Sequence, residues 1–171
     1  MNYYFFPQIL SLKTTVTLAN FPPTITPSWN AQSSYIHATF STGAKWKIFF
    51  IQEIAPGDIF SLEVQDLPEQ PPEGSSVFLF MHPNRLSEDM DFLPIEKFME
   101  SEPSWRGNIK LSSETTATSY QGEYPDFMLN LSKGTLLTFN PLIQTEPGVV
   151  TQLMVVNILR SPAIREGRLY V

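Results

Sequence analysis

Histidine is the side chain best suited to proton transfer and metal ligation near neutral pH, and this chain carries two, His37 and His82. His82 stands in Met81-His82-Pro83-Asn84, at the end of an apolar run over 77–81. Strand ends feed the loops on which binding and catalytic groups concentrate, so His82 is a candidate ligand-binding residue. The competing reading is an imidazole that caps the strand end by hydrogen bonding. His37 alternates with apolar Ile36 and Ala38, which places it towards solvent or on the outer side of a sheet. A metal held by both histidines would need a third ligand from Asp or Glu. The spacing of acidic residues does not supply one, so no metal and no cofactor is expected.

A second group lies in Ser119-Tyr120-Gln121-Gly122-Glu123-Tyr124-Pro125-Asp126. Two carboxylates held about 5–10 Å apart can divide general-acid and general-base work, as in glycoside hydrolysis. Glu123 and Asp126 flank a Tyr-Pro turn, but no partner that would activate either is visible. The same octapeptide also suits recognition, because Tyr120, Tyr124 and the two carboxylates offer ring faces and hydrogen-bonding groups together. Its plain alternative is a turn whose tyrosines pack on a sheet. Trp29, in a loop after Pro27, is a further candidate for stacking on a ligand, whereas Trp46 alternates with Ile48 and Phe50 and belongs to a core. Glu88, Asp89 and Asp91 form an acidic loop without the alternating oxygen ligands of a calcium loop. Phosphate-cradling, nucleophile-elbow and zinc-protease motifs are absent. Asn130-Leu131-Ser132 has the form of a glycosylation acceptor, a tripeptide that occurs often by chance.

The elements that must position these groups are strands. Leu12, Val16 and Leu18 lie on one face and Lys13, Thr15 and Thr17 on the other, the period of a half-buried strand, and the β-branched run over 14–17 suits a pleated surface. Residues 35–40 and 45–54 repeat the pattern around a Ser41-Thr42-Gly43-Ala44 hairpin turn. Pro56-Gly57-Asp58 is another turn, followed by a strand over 59–67. The segment 68–74 contains three prolines, which cannot donate to a ladder. Residues 77–81 read as a strand buried on both faces. Asp91 as cap and Pro94 in the first turn predict one short helix reaching Glu102. Strand character resumes at 105–112, with Gly107 as a bulge, and again at 115–120, 127–131, 134–139, 149–159 and 168–171.

Composition bounds the rest. The chain has 171 residues, no cysteine and a net charge of −6. One domain spanning 1–171 is expected, with a core that needs no disulfide or metal. Eleven basic residues among seventeen acidic ones argue against nucleic acid, whose binding rests on neutralised phosphates, and against an anionic membrane surface. The apolar start carries no basic residue and is interrupted at Pro7, so it lacks a secretory pattern. No apolar run approaches the ~18 residues of a membrane span. A cytoplasmic location is the expectation.

Many short strands with turns between them predict an all-β antiparallel sandwich, jelly-roll or Ig-like, of about ten strands with one short helix. The leading functional expectation is a non-catalytic recognition module. It would bind a carbohydrate or peptide through end loops, with Trp29, His82, Tyr120, Glu123, Tyr124 and Asp126 as contact residues. The alternatives are an assembly protein that forms a homo-oligomer, and a carboxylate-based hydrolase.

Overall fold

A computed structural model of the chain describes residues 2–7, 12–21, 32–71, 75–86, 89–95, 105–121, 123–125, 135–136, 147 and 157–162. The described chain is mostly β, built on two antiparallel sheets. The larger sheet has six strands: β1 (Asn2–Phe6), β3 (Ser34–Ser41), β4 (Trp46–Ile54), β6 (Val77–His82), β7 (Asp89–Met90) and β10 (Glu123–Pro125). Their order is β10-β1-β6-β3-β4-β7. The smaller sheet has the order β5-β2-β8-β9, from β2 (Lys13–Asn20), β5 (Ile59–Glu63), β8 (Trp105–Ser112) and β9 (Ala117–Tyr120). A separate two-stranded ladder joins β11 (Thr135–Leu136) to β12 (Asn157–Ile158).

In β2 Val16 and Leu18 are buried and Lys13 is exposed, as expected. Leu12, expected on the same face, lies just ahead of the strand and is exposed, and the buried place nearest it is taken by Thr14, whose hydroxyl donates to the Pro7 carbonyl. The β3–β4 hairpin turns through Gly43, and the chain leaves β4 through Gly57. Both have φ of 88°, a left-handed conformation in which a β-carbon is costly. Asn20 closes the end of β2 against this second turn. Its amide donates to the Asp58 carbonyl, and its carbonyl accepts from the Gly57 amide. Its buried side-chain nitrogen donates to the carbonyls of Gln32 and Ile54, both at 3.1 Å. Asn20 therefore ties the smaller sheet to the end of β4 in the larger one.

Both faces of the larger sheet are covered at its centre. Ile36, Ala38 and Phe40 of β3 share one face with Leu79 and Met81 of β6 and with Tyr4 and Phe6 of β1. This face meets the smaller sheet, where the Tyr4 ring lies against Gly107. The opposite face carries Tyr3, Phe78, Phe80, His37, Thr39, Ile48 and Trp46, all buried. Its cover comes from residues 93–95 and 159–162. Leu93 is fully buried, and Tyr3 donates its hydroxyl to the Pro94 carbonyl at 2.7 Å. The Arg160 carbonyl accepts from Trp46 Nε1 at 2.8 Å and from the Leu93 amide at 2.9 Å. Ser41 donates to the Pro162 carbonyl at 2.6 Å. A strand covered on both sides has no polar face, which is why β6 is apolar from Val77 to Met81, up to His82 at its end.

Some expectations are corrected. The strand from residue 59 ends at Glu63, and residues 64–66 form a 3-10 turn, the sole helical element among the described residues. Gly107 is not a bulge, because the β2–β8 ladder runs through it in register. The bulge is in the β3–β4 ladder. Ile36 faces Gln52 and His37 faces Phe50, so Ile51 is the extra residue. The helix expected after Asp91 falls largely on 96–102, outside the described residues, while 93–95 have no regular structure. The segments 127–131 and 168–171 also lie outside them. Of the strand expected over 149–159, only Asn157–Ile158 is described as β. No helix among the described residues is long and apolar enough to cross a membrane.

Candidate functional site

One row of residues crosses the larger sheet in register: Tyr3 on β1, Phe80 on β6, His37 on β3 and Phe50 on β4. The Tyr3 and Phe80 rings are 5.0 Å apart. His37 stacks on Phe80 at 5.1 Å and 18°, and meets Phe50 edge-on at 6.1 Å. The bulge beside His37 bends β4 here, a device common next to functional sites. One row further, Tyr35 faces His82 across the β3–β6 ladder. Tyr35 and Phe50 are half-buried, with rings 6.0 Å apart.

The two imidazoles hold a single turn. His37 is fully buried, and its Nε2 accepts the Leu86 amide hydrogen at 3.1 Å. An acceptor Nε2 requires a neutral ring with its proton on Nδ1. Burial lowers the pKa of His37 to about 4, helped by the positive fields of His82 and Arg85 and opposed in part by the Tyr35 backbone. Among the described residues His37 Nδ1 meets no partner at hydrogen-bond geometry, nor does the buried Thr39 hydroxyl two residues along the same face. Each such group costs about 1–3 kcal/mol, and unsatisfied buried polar atoms collect at functional sites and bound waters.

His82 sits 6.4 Å from His37, edge-on. Its Nδ1 lies 3.0 Å from the Asn84 amide nitrogen and 2.9 Å from the Asn84 carbonyl oxygen. A neutral His82 accepts from the first, and a ring protonated at Nδ1 donates to the second. His82 Nδ1 therefore keeps a partner in either state, whereas His37 Nε2 does not. Alternate amides of residues 83–86 are thus pinned to alternate imidazoles of the sheet. The turn presents Arg85, exposed, with its guanidinium 4.3 Å over the Phe50 ring. Lys13, Lys45 and Lys47 face Glu63, Asp91 and Glu69. Arg85 has no ion pair among the described residues. A guanidinium stacked on an aromatic face keeps its N–H edge directed outward, where it can grip a planar anion.

Of the residues expected to form a site, the structure places His82 here. Trp29 and Asp126 lie outside the described residues. Glu123 and Tyr124 are not in a turn: they form β10, opposite Tyr4 and Tyr3 of β1. Pro125 is tolerated there because β10 is the outer strand of the described sheet. Tyr120 belongs to the other sheet, on β9 opposite Ile109. It is 43% exposed, with its hydroxyl pKa pushed up by burial. The octapeptide thus passes from an outer strand of one sheet to an outer strand of the other. Asp89 and Asp91 are exposed. Among the described residues no three His, Cys, Asp or Glu side chains gather as a metal site would need.

Sequence reasoning missed Tyr35, Phe50 and Arg85, and it misplaced His37 with respect to solvent. One signal was available. A neighbouring strand apolar on both faces implies a covered outer face, and a histidine on that face is then buried too. For Arg85 no comparable signal exists. No family model matches the chain, and no curated protein or solved structure is significantly similar to it.

Proposed function

We propose that this chain is a non-catalytic recognition module of β-sandwich form, jelly-roll or Ig-like. Its ligand meets the end of the larger sheet, where Arg85, Asn84, His82, Tyr35 and Phe50 come together. The observation that carries this reading is the Arg85 guanidinium, stacked on Phe50 and without an ion pair among the described residues, on a turn fixed by two imidazoles. A side chain held in place before binding loses little entropy on contact. Tyr35 supplies a half-buried ring beside it. Of the two ligand classes expected, carbohydrate fits better than peptide. Tyr35 is on β3, which is flanked by β6 and β4. The rings of Tyr35 and Phe50 with the polar Arg85 and Asn84 beside them suit stacking and hydrogen bonding to a sugar. Peptide remains the second class, because β7 pairs β4 only at Trp46 and Lys47, so that among the described residues the β4 edge at Phe50 has no partner strand.

A glycan array and a peptide array at pH 7 test this, with the intact chain and its Arg85→Ala and Tyr35→Ala variants. The expected result is carbohydrate binding weakened about tenfold or more by Arg85→Ala, the loss typical of a charged anchor. No binding on either array, or binding indifferent to both substitutions, would remove the reading.

The assembly reading draws on a different observation. Ile59 is 61% exposed and Phe21 44% exposed, and Ile59 pairs with Ala19 near the end of β2. Sedimentation at micromolar concentration should then show a dimer or larger species, and a strict monomer removes that alternative.

A further inference from the structure

The hydrogen bond from Leu86 to His37 does more than close a turn. It requires an unprotonated Nε2. A proton added there sets two donors against each other, in a fully buried place. The other bond of the turn does not share this weakness, because the Asn84 carbonyl stands ready for an Nδ1–H on His82. Protonation therefore breaks one end of the turn and leaves the other as a pivot. The residue between the two ends is Arg85.

We propose that residues 83–86 form an acid-sensitive latch: protonation of His37 releases Leu86, and the freed turn lifts Arg85 from Phe50 and dismantles the ligand site. The regulatory half of this rests on the recognition reading above; the latch itself rests on geometry alone. The groups that face His37 from each neighbouring element are consistent with it. β6 offers His82 and Phe80, β4 offers Phe50, the turn offers Arg85 and Leu86, and β3 offers Tyr35 and Thr39. Among the described residues none of these is a carboxylate that would stabilise an imidazolium. Glu53, opposite Tyr35 in the β3–β4 ladder, is exposed, where solvent and salt screen its field. A charged His37 would thus share its surroundings with a guanidinium and a second imidazole. Opening the latch relieves both the repulsion and the burial.

The fold-change follows from linkage. An open latch returns His37 to the ordinary value of 6.5 from about 4. The opening constant then grows about 20-fold between pH 7 and pH 5. Amide hydrogen exchange of the whole chain without ligand reads this directly, once rates are corrected for intrinsic pH dependence. The protection of the Leu86 amide should fall about 20-fold from pH 7 to pH 5. In His37→Gln, whose side-chain oxygen can still accept but does not titrate, that dependence should vanish. Should His37→Gln not fold, the unaltered chain still decides: the Leu86 amide shift must titrate with the same midpoint as the His37 ring. Constant Leu86 protection, an unchanged pH dependence in His37→Gln, or separate midpoints would each overturn the latch. Being read without ligand, the result stands apart from the array outcome at neutral pH.

Discussion

The Tyr4 ring occupies the space that a β-carbon on Gly107 would need. Such a carbon would lie 2.2 Å from Tyr4 Cε1 and 2.4 Å from Cδ1, inside any permitted contact. Tyr4 is fully buried on β1 of the larger sheet, and Gly107 is in β8 of the smaller one. The close approach of the two sheets at this point depends on the missing side chain, a recurrent reason for glycine within a strand.

Gly107→Ala should therefore destabilise the protein by overpacking, by about 1–3 kcal/mol. Alanine is otherwise the better strand residue on entropy grounds, so a loss has to come from the ring. Urea unfolding should show a lower midpoint with an unchanged slope. A double-mutant cycle with Tyr4→Leu should give a coupling of at least about 0.5 kcal/mol. Additive effects would place the clash elsewhere.

Asn20 is a polar residue in a buried position, justified by four hydrogen bonds at the junction of the sheets. Two come from its side chain. Asn20→Ala leaves the carbonyls of Gln32 and Ile54 without that donor, and Ile54 ends β4 at a buried site. The expected loss is roughly 1–3 kcal/mol. Amides of the 55–58 turn should exchange faster than those of β6 in this variant. Uniform acceleration would mean that Asn20 supports the whole fold rather than the junction.

Stability should depend on pH through His37. The unfolded chain titrates this ring near 6.5 and the folded one near 4. Between these values the unfolded state binds more protons, so stability is complete above about pH 6.5 and falls as the pH drops towards 4. The full difference is roughly 3–4 kcal/mol for a shift of this size. Other groups titrate in the same range, so the informative quantity is the difference in pH slope between the intact chain and His37→Gln. The intact chain should be the more acid-sensitive of the two.

What could be read from the sequence was local. The inward face of Val16 and Leu18, the turns at Gly43 and Gly57, and the two-sided burial of β6 depend on neighbours in the chain and on backbone sterics. What could not be read was contact between distant segments. Trp46 Nε1 meets the Arg160 carbonyl, and Tyr3 meets the Pro94 carbonyl. These cover the face that alternation alone assigns to the outside, and so His37 is buried. Gly107 signals irregular backbone in a sequence, whereas here it admits a ring from the other sheet. Tyr124-Pro125 has the chemistry of a turn but pairs as an outer strand with β1. His82 was legible as a strand-end group, and its role in holding the Asn84 turn matches the capping alternative as well as a place at the proposed site. Arg85 follows from no local pattern, because its significance lies in Phe50 beneath it.

The neutral imidazole beneath the 83–86 turn underlies the site, its rigidity and its response to acid. A long-range proton–nitrogen NMR spectrum of the histidine rings at pH 7 reads it most directly. The expected result is His37 with its proton on Nδ1, an unprotonated Nε2, and a scalar coupling from that Nε2 to the Leu86 amide nitrogen. A proton on Nε2, or a charged ring at that pH, would contradict it.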